Sequence, residues 1–421
     1  MMPFLPEADA CKTRKQVRLA YLVSHPIQYQ APLLRRIARE PDIDLTVLFG
    51  SDFSVKGYQD EGFGVDVKWD IPLLEGYRHE FLPRLRDRST ASFASPLNYG
   101  ILGRLWRGTA HDAGATFDAL WVHGYATANA IHGILAARAL GIPVLLRAES
   151  WLKDRARGGL KLAAKNFFFA GLKELVDGVL PIGTLNDEYW RHYLGDAFPR
   201  SLMPYAVDND YFQQRSREAQ SRRGDLLAEL NLDPSRPVIL FASKLQRRKR
   251  CADLVEAYRR LSPASGVEPH PYLLIVGDGE EREALERQAT ESGLSGIRFC
   301  GFRNQSELPG FFNIATVFVL PSQHEPWGLI VNEVMNAGRA VIVSDDVGCA
   351  PDLIRDGVEG CIFPVGNIAA LTDALRRVLA TPETAVRMGQ HGLERIRTWS
   401  FEEDIQGLRQ AIARATGKIE P

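Results

Sequence analysis

Short apolar runs alternate with helix-like stretches along this chain, and that alternation constrains the fold more than any other feature. The first run occupies residues 17–23 and is followed by a helical pattern over residues 32–37. Further members of this series are the apolar runs at residues 45–49, 120–122, 144–146 and 179–182 and the helical stretch at 127–140. Alternating strands and helices are typical of a parallel, doubly wound sheet.

The series starts again in the second half of the chain. Its apolar runs lie at residues 238–242, 273–276, 297–299, 317–320 and 340–343. A polar, charge-rich stretch over residues 213–233 separates the two series and is predicted to be a linker. The sequence therefore predicts an α/β protein of two Rossmann-like, doubly wound domains. A length of 421 residues suits two such domains.

The charge balance argues against a nucleic-acid partner. The chain has 51 Lys and Arg residues against 52 Asp and Glu residues, so it lacks the overall positive field that collects nucleic acids. The cysteines form no C-x-x-C pair, which indicates free thiols in a reducing compartment rather than a zinc site. They are Cys11, Cys251, Cys300, Cys349 and Cys361.

The N-terminus is not expected to be a signal peptide, because residues 1–16 contain acidic side chains and no long apolar core. No apolar run approaches the roughly 20 residues that cross a bilayer as a helix. The protein is therefore expected in the cytoplasm or on the inner face of a membrane.

Two glutamates are the first candidates for a functional site. Glu325 follows the fourth apolar run of the second series, and the carboxyl end of a strand is where open α/β sheets bind ligands. A turn at Trp327 and Gly328 then opens a helical run that begins at Leu329 and contains Glu333. The first turn of such a helix offers unpaired backbone N–H groups that can hold phosphate. Both carboxylates can line one cleft wall; the alternative is that both are solvated surface acids.

The residues around this pair resemble a known family. The E-x7-E signature of retaining GT-B glycosyltransferases of family 4 is similar to the pattern formed here by Ser322, Glu325, Gly328, Leu329, Glu333, Gly338, Val341 and Gly348. The resemblance implies that Glu325 faces the donor sugar and that Glu333 holds the nucleotide ribose. It also implies donor contacts at Trp327, Gly328 and Leu329.

The resemblance also implies the GT-B architecture, in which two Rossmann-like domains face each other across a cleft, and it implies a role for each part of the chain. Residues 1–207 are expected to form the acceptor-binding domain, and residues 208–236 the hinge and linker. Residues 237–399 are expected to bind the nucleotide sugar. The helix predicted over residues 400–421 is similar to the family's C-terminal helix, which crosses back to the first domain.

Five cations fall within residues 244–250, directly after the first strand of the second series. Cations at this edge of a sheet would neutralise a diphosphate as it leaves. The resemblance implies this role for Lys244, which stands where the family usually has Arg, and for Lys249, which stands where it has Lys. The alternative is a solvated basic loop.

Two more loops of the second half are candidates for donor contacts. Gly277 and Gly279 are similar to a dinucleotide-binding fingerprint, but Arg282 replaces the third glycine, so an NAD-dependent dehydrogenase is not expected. The resemblance places the Gly277 turn near the donor. It also implies that Phe302 and Arg303 meet the nucleobase through their backbone.

Polar residues of the first half complete the predicted site. His25 and Gln28 lie in the loop after the first strand, where most family members have glycines, and they either contact the donor phosphates or cap the next helix. His123 ends a further strand and is either a site residue or a packed histidine. Glu149 stands where the family usually has a His that contacts the donor sugar. It either binds sugar hydroxyls or pairs with Arg147.

No metal site and no cofactor are predicted, and the nucleotide sugar enters as a substrate. The triplet from Asp208 to Asp210 has the D-x-D form that holds manganese in other glycosyltransferases. Here it resembles the family's hinge motif, whose acid is structural. Asp345 and Asp346 suit a turn.

A membrane surface is a further candidate partner. Residues 152–175 carry three consecutive phenylalanines among the basic residues Lys153, Arg155, Arg157, Lys161, Lys165 and Lys173. Such a stretch can lie on anionic lipid, and similar stretches in the family do so. The alternative is an amphipathic helix whose phenylalanines fill the core of the first domain.

Together these features predict retaining, metal-independent transfer of a hexose from a nucleotide diphosphate sugar, with UDP as the expected nucleotide. The acceptor is expected to be a hydroxyl of a glycan or lipid-linked glycan in cell-envelope or exopolysaccharide synthesis. A GT-B sugar-nucleotide epimerase and a non-catalytic nucleotide-sugar-binding subunit are the alternatives.

Overall fold

The computed structural model describes residues 16–60, 62–87, 92–107, 116–153, 159–261 and 269–420. Cys11, the predicted N-terminal segment through residue 15, and Arg155 and Arg157 of the basic stretch lie outside the described residues. The strands are β1 (Val17–Val23), β2 (Ile43–Phe49), β3 (Tyr58–Asp60), β4 (Val65–Val67), β5 (Arg78–Phe81), β6 (Arg84–Arg86), β7 (Leu97–Asn98), β8 (Ala119–His123), β9 (Val144–Arg147), β10 (Gly178–Val179), β11 (Val238–Ala242), β12 (Tyr272–Val276), β13 (Ile297–Gly301), β14 (Val317–Leu320), β15 (Ala340–Ser344) and β16 (Gly360–Phe363).

The helices follow the same order along the chain. They are α1 (Ala31–Ile37), α2 (Phe53–Lys56), α3 (Ile101–Arg107), α4 (Ala128–Ala139), α5 (Gly159–Lys173), α6 (Thr184–Leu194), α7 (Asn209–Gln220), α8 (Arg223–Glu229), α9 (Cys251–Arg259), α10 (Arg282–Glu291), α11 (Leu308–Ile314), α12 (Leu329–Asn336), α13 (Ala350–Leu353), α14 (Ile368–Leu379), α15 (Pro382–Ile396) and α16 (Phe401–Thr416). A single 3-10 turn, Arg247–Lys249, lies in the basic loop after β11.

Two six-stranded sheets organise the described residues. Their strand orders are β10-β9-β8-β1-β2-β5 and β13-β12-β11-β14-β15-β16, and all their neighbouring strands are parallel. In each sheet the first strand lies in the middle and the order reverses beside it, as in Rossmann sheets. The predicted doubly wound α/β fold is confirmed.

Helices cover both faces of each sheet, which explains why the strands are almost continuously apolar. On one face of the first sheet, Leu19 and Val47 pack with Ile405 and Ile412 of α16. The opposite face lies under α3 to α6. The C-terminal helix is therefore part of the core of the first sheet.

The stretch predicted as a hinge and linker contains two helices that the sequence analysis did not predict. Helices α7 and α8 span most of it, and they bury Phe212 and Leu227 in the core of the second sheet. Only a narrow stripe of each helix is buried, so charged residues dominate the sequence and conceal the helical pattern.

A hairpin in the first half departs from the alternating pattern. Strands β3 and β4 pair in an antiparallel manner outside the main sheet. We call residues 58–60 and 62–70 the cleft hairpin, because Lys68 and Asp70 contact residues of the second half across the interdomain cleft. Short, mixed polar strands of this kind carry little periodic signal.

Candidate active site

One cleft of about 410 Å³ lies between the two halves, lined by loops that follow strands of both sheets. Most predicted site residues line it. They are Gln28, Glu149, Lys244, Lys249, Gly277, Phe302, Arg303, Glu325, Trp327, Gly328, Leu329 and Glu333. His25 and His123 are not among the lining residues. The fold therefore brings together groups that are far apart in sequence.

Backbone contacts hold the loop that carries Glu325. Its N–H donates to the Asp346 carbonyl at 3.1 Å, and its carbonyl accepts from the N–H of Gly348 at 2.9 Å. A Cβ at position 348 would collide with the carbonyl oxygen of Pro326, so only glycine allows this approach. The Asp346 carboxylate accepts from the N–H of His324 at 2.8 Å. Two loops thus fix where the Glu325 carboxylate lies.

The Glu325 carboxylate is bound by cations of the basic loop. Lys249 Nζ donates to Glu325 Oε2, and Arg248 Nη1 lies 3.5 Å from the same oxygen. Lys249 is only 7% exposed. Burial lowers the pKa of the Lys249 ammonium, and the Glu325 carboxylate only partly reverses this effect. The basic loop is therefore part of the cleft wall rather than a solvated surface loop.

The second predicted phosphate-binding lysine is also paired with an acid. Lys244 Nζ donates to Asp60 Oδ1 and Oδ2 of the cleft hairpin at 2.7 and 2.8 Å. Burial favours a higher pKa for Asp60, but hydrogen bonds from Lys244 and from the N–H groups of Phe63 and Gly62 outweigh it and lower the pKa. The sequence carries no signal for Asp60, because its partner lies in the other half of the chain.

Glu333 is the acid in the cleft without a partner. Its carboxylate takes part in none of the hydrogen bonds or ion pairs found within the described residues, and burial raises its pKa to about 8. It lies on α12, which begins after Gly328 at a positive φ of 92°. An unpaired acid with a raised pKa in a cleft is typical of a functional group.

Glu149 is held by side chains of the first half. It accepts from Tyr29 Oη at 3.1 Å and from Tyr205 Oη, and His123 Nε2 lies 3.7 Å away. Burial favours a higher pKa, but hydrogen bonds from His123, Tyr205 and Tyr29 lower the pKa of Glu149. Arg147 instead lies 3.4 Å from the buried Asp404 of α16. Tyr29 and Tyr205 also line the cleft and are not among the predicted residues.

The two predicted histidines pack within the first half. His25 Nδ1 lies 2.9 Å from Ser24 Oγ, and its ring lies 4.4 Å from that of Phe53. Burial, assisted by the neighbouring His123, lowers the pKa of His25 to about 4. His123 contacts the side-chain amide of Gln30. A neutral imidazole away from the cleft lining gives no support to a phosphate contact by His25.

Two predicted donor-binding residues have evident packing roles. Trp327 is 3% exposed, donates to Asn332 Oδ1 at 3.0 Å, and stacks on Trp399 with 5.6 Å between ring centroids. Gly277 lets its loop lie against the next, because a Cβ there would collide with the Ser243 carbonyl. Packing alone therefore accounts for both residue types.

Aromatic rings line the part of the cleft predicted to meet the nucleobase. The ring of Phe302 lies edge-on to that of Phe63, with centroids 4.8 Å apart, and Trp69 of the cleft hairpin also lines the cleft. Arg303 donates to Glu307 at 3.1 Å, so its guanidinium is held along α11. The first half thus supplies rings that the sequence pattern does not reveal.

Three of the acids considered for metal binding have structural partners. Asp345 accepts from the N–H of Val365 at 2.9 Å, and Asp346 accepts from the N–H of His324 at 2.8 Å. Asp208 accepts from the N–H of Tyr211 and caps α7. Among the described residues, no group of three or more His, Cys, Asp or Glu side chains is arranged to hold a metal ion.

Comparison with known proteins identifies the second half. Residues 223–395 match the family model described as glycosyl transferases group 1. This part of the chain is a group 1 glycosyltransferase domain. The α-maltose-1-phosphate synthase of Mycobacterium tuberculosis is 29% identical over 310 residues, which cover 67% of this chain and 76% of the synthase. The lipopolysaccharide core biosynthesis glycosyltransferase LpsE of Rhizobium meliloti is 32% identical over 169 residues, 40% of this chain and 46% of LpsE.

The whole chain is also similar to solved structures. HepE from Anabaena in complex with UDP superposes with a TM-score of 0.69 at 16% identity, over 94% of this chain and 99% of HepE. The same protein has been solved with UDP-glucose. Similarity at this level of identity establishes the GT-B fold. The family match supports glycosyltransferase activity.

Proposed function

We propose that this glycosyltransferase moves a sugar from a UDP-sugar to a hydroxyl of a glycan or lipid-linked glycan, with retention and without a metal. One observation carries the proposal: three cations and two acids, Lys244, Arg248, Lys249, Glu325 and Glu333, line a single cleft between two Rossmann sheets. The UDP and UDP-glucose complexes of HepE support a uridine nucleotide. The name of LpsE supports a glycan acceptor.

The cations would act on the leaving group. Lys244, Arg248 and Lys249 follow β11 at its carboxyl end, beside the start of α12 at Gly328. A diphosphate held there gains negative charge as its bond to the sugar breaks, and preorganised cations and backbone N–H groups stabilise that charge. The Glu333 carboxylate would accept hydrogen bonds from the ribose hydroxyls.

The contacts of Glu325 favour one route to the proposed retention. Both Lys249 and Arg248 approach one of its oxygens, which makes the carboxylate a poor nucleophile and suits it to position the sugar. We infer attack on the face that the diphosphate leaves. The acceptor oxygen bonds to the anomeric carbon, the bond from that carbon to the phosphate oxygen breaks, and the phosphate takes the acceptor's proton.

The product separates the candidate reactions. Incubation with UDP-glucose, or with the UDP-sugar that most raises the melting temperature, is expected to release α-configured sugar first when water replaces the acceptor. Proton NMR during the first turnovers measures the anomer, and EDTA is expected to leave the rate unchanged. A β-configured product would contradict retention. An isomerised UDP-sugar would identify an epimerase, and binding without turnover would identify a binding subunit.

We also propose that the outer face of helices α3, α4 and α5 lies on an anionic membrane. These helices contain six Lys or Arg residues and no Asp or Glu, although the chain has a net charge of −1. Their exposed apolar side chains include Trp106 at 66%, Phe167 at 84% and Leu160 at 87%. Basic residues around exposed apolar ones are typical of peripheral membrane helices.

Phe169 is buried, so one member of the phenylalanine run does fill the core. Within the described residues, no helix has the length and apolarity to span a bilayer.

Removing the two most exposed apolar groups tests the membrane surface. Leu160→Ser combined with Phe167→Ser is expected to lower binding to vesicles containing phosphatidylglycerol by about tenfold, because less apolar area enters the interface. Vesicle co-sedimentation measures this. Val386→Ser removes a 55% exposed side chain from the second half and is the matched control. Equal binding by all three proteins would contradict the proposed surface.

A further inference from the structure

We propose that Asp60 is a stand-in for the donor diphosphate: it pairs with Lys244 until the diphosphate takes its place. The inference rests on the proposed function, because it takes a UDP-sugar as donor. It adds a residue of the first half to the donor site and names the contact that donor binding must break.

The ion pair occupies the group that the diphosphate needs. Lys244 donates to both Asp60 oxygens at 2.7 and 2.8 Å, and its Nζ lies 4.7 Å from the centre of the Phe63 ring. An ammonium group has three donors, so Asp60 takes two of them. The side chain of Asp60 is 10% exposed, which limits screening by water.

Other contacts fasten the same hairpin to the second half. Asn304 Nδ2 donates to the Lys68 carbonyl at 3.1 Å, and the N–H of Ser306 donates to Asp70 Oδ2 at 3.2 Å. Phe63, which lies between Asp60 and Lys68 in the chain, contacts the ring of Phe302. The hairpin therefore forms a wall of the cleft and connects its two sides.

Two glycines allow the cleft hairpin to approach Lys244 this closely. A Cβ at Gly62 would lie 2.7 Å from Lys244 Cδ, and a Cβ at Gly279 would lie 2.9 Å from the Gly62 carbonyl oxygen and 2.6 Å from that of Leu245. Distances below about 3.0 Å do not occur for real Cβ atoms. The hairpin can lie this close to Lys244 because positions 62 and 279 are both glycine.

A diphosphate and Asp60 cannot both use Lys244 without repulsion. The lowered pKa keeps Asp60 charged at neutral pH, and like charges a few ångströms apart in a partly buried site repel strongly. A diphosphate carries more charge and more acceptor oxygens than one carboxylate, so it competes well for the ammonium. Donor binding thus exchanges one anion for another at Lys244.

Calorimetry with UDP and uridine tests the exchange. Asp60→Asn removes the charge, and its carbonyl can still accept from the N–H groups of Gly62 and Phe63, which donate to Asp60 at 2.8 and 3.0 Å. We expect the variant to bind UDP about tenfold more tightly and to bind uridine, which has no phosphate, with unchanged affinity. Asp66→Asn removes the same charge from an exposed position of β4 and is expected to change neither affinity.

The outcomes separate this proposal from the proposed function. Unchanged or weaker UDP binding by folded Asp60→Asn would overturn the stand-in role, and so would an equal gain for uridine. In a Lys244→Met background, the gain from Asp60→Asn is expected to be clearly smaller, because competition for the shared partner is gone and only the repulsion between Asp60 and the diphosphate is relieved. An equal gain in both backgrounds would contradict the stand-in role. Wild-type protein that binds UDP while Asp60→Asn shows no gain leaves the proposed function intact. Wild-type protein that binds no UDP overturns both.

Discussion

Replacing Lys249 with Met is expected to lower kcat/KM for the UDP-sugar by about 10³-fold, the loss seen when one group that stabilises leaving charge is removed. The ammonium is buried in the cleft wall and contacts Glu325, so it is preorganised where the diphosphate departs. Initial-rate kinetics with the UDP-sugar measures the loss. Arg247→Met removes an exposed cation that does not line the cleft and is the control, expected to stay within about twofold. A similar loss in both variants would indicate a general charge effect.

Variants of the pair formed by Lys249 and Glu325 should separate effects on stability from effects on activity. Lys249→Met and Glu325→Gln each leave one charge in the cleft wall, which typically costs about 3 kcal/mol. The cost should be smaller for Lys249→Met, because Arg248 remains 3.5 Å from Glu325. The double variant leaves neither charge, so its free energy of unfolding in urea should recover while its activity stays lost. A double variant as unstable as the sum of the two single variants would show that the pair is not coupled.

Replacing Glu333 with Gln is expected to weaken UDP binding by at least about tenfold while raising thermal stability above neutral pH. The carboxylate has no partner among the described residues, and burial raises its pKa to about 8. The folded protein therefore holds a proton that the unfolded chain has already released, so wild-type stability falls as pH rises from about 4.5 to about 8. The uncharged amide avoids this loss, and a gain of 1 kcal/mol corresponds to about 3 °C.

The UDP affinity of the wild-type protein should depend on pH with the opposite sign. Ribose hydroxyls donate hydrogen bonds and favour the ionised carboxylate, so UDP binding should release a proton and strengthen between pH 7 and about 8.5. A phosphate monoester titrates near pH 6, so the terminal phosphate of UDP contributes little to the pH dependence in this window. Calorimetry in buffers of different ionisation enthalpy measures the released proton. Glu333→Gln should show neither effect, and a pH-dependent affinity that persists in this variant would assign the proton to another group.

The architecture was accessible from the sequence because the interior strands of a parallel sheet are buried on both faces. Strands β1, β11 and β14 have the predicted bounds for this reason. Strand β5 was not predicted because three of its four residues, Arg78–Phe81, are polar. Strand β16 was not predicted although its residues are apolar; it is only four residues long. Helices α7 and α8 were not predicted, because each has only a narrow apolar stripe among many charged residues.

The sequence by itself determined the strands that carry the central groups of the cleft. Residues that follow parallel strands share one edge of a sheet, so Lys244, Lys249 and Glu325, each in a loop after a strand of the second series, could be expected at one site. Only the tertiary structure decided their partners. Asp60 lies 184 positions from Lys244, and Tyr205 lies 56 from Glu149. An ion pair or hydrogen bond forms between groups that the folded backbone brings within a few ångströms. When those groups lie far apart in the chain, as across the cleft hairpin, the local sequence contains no pattern that predicts the contact.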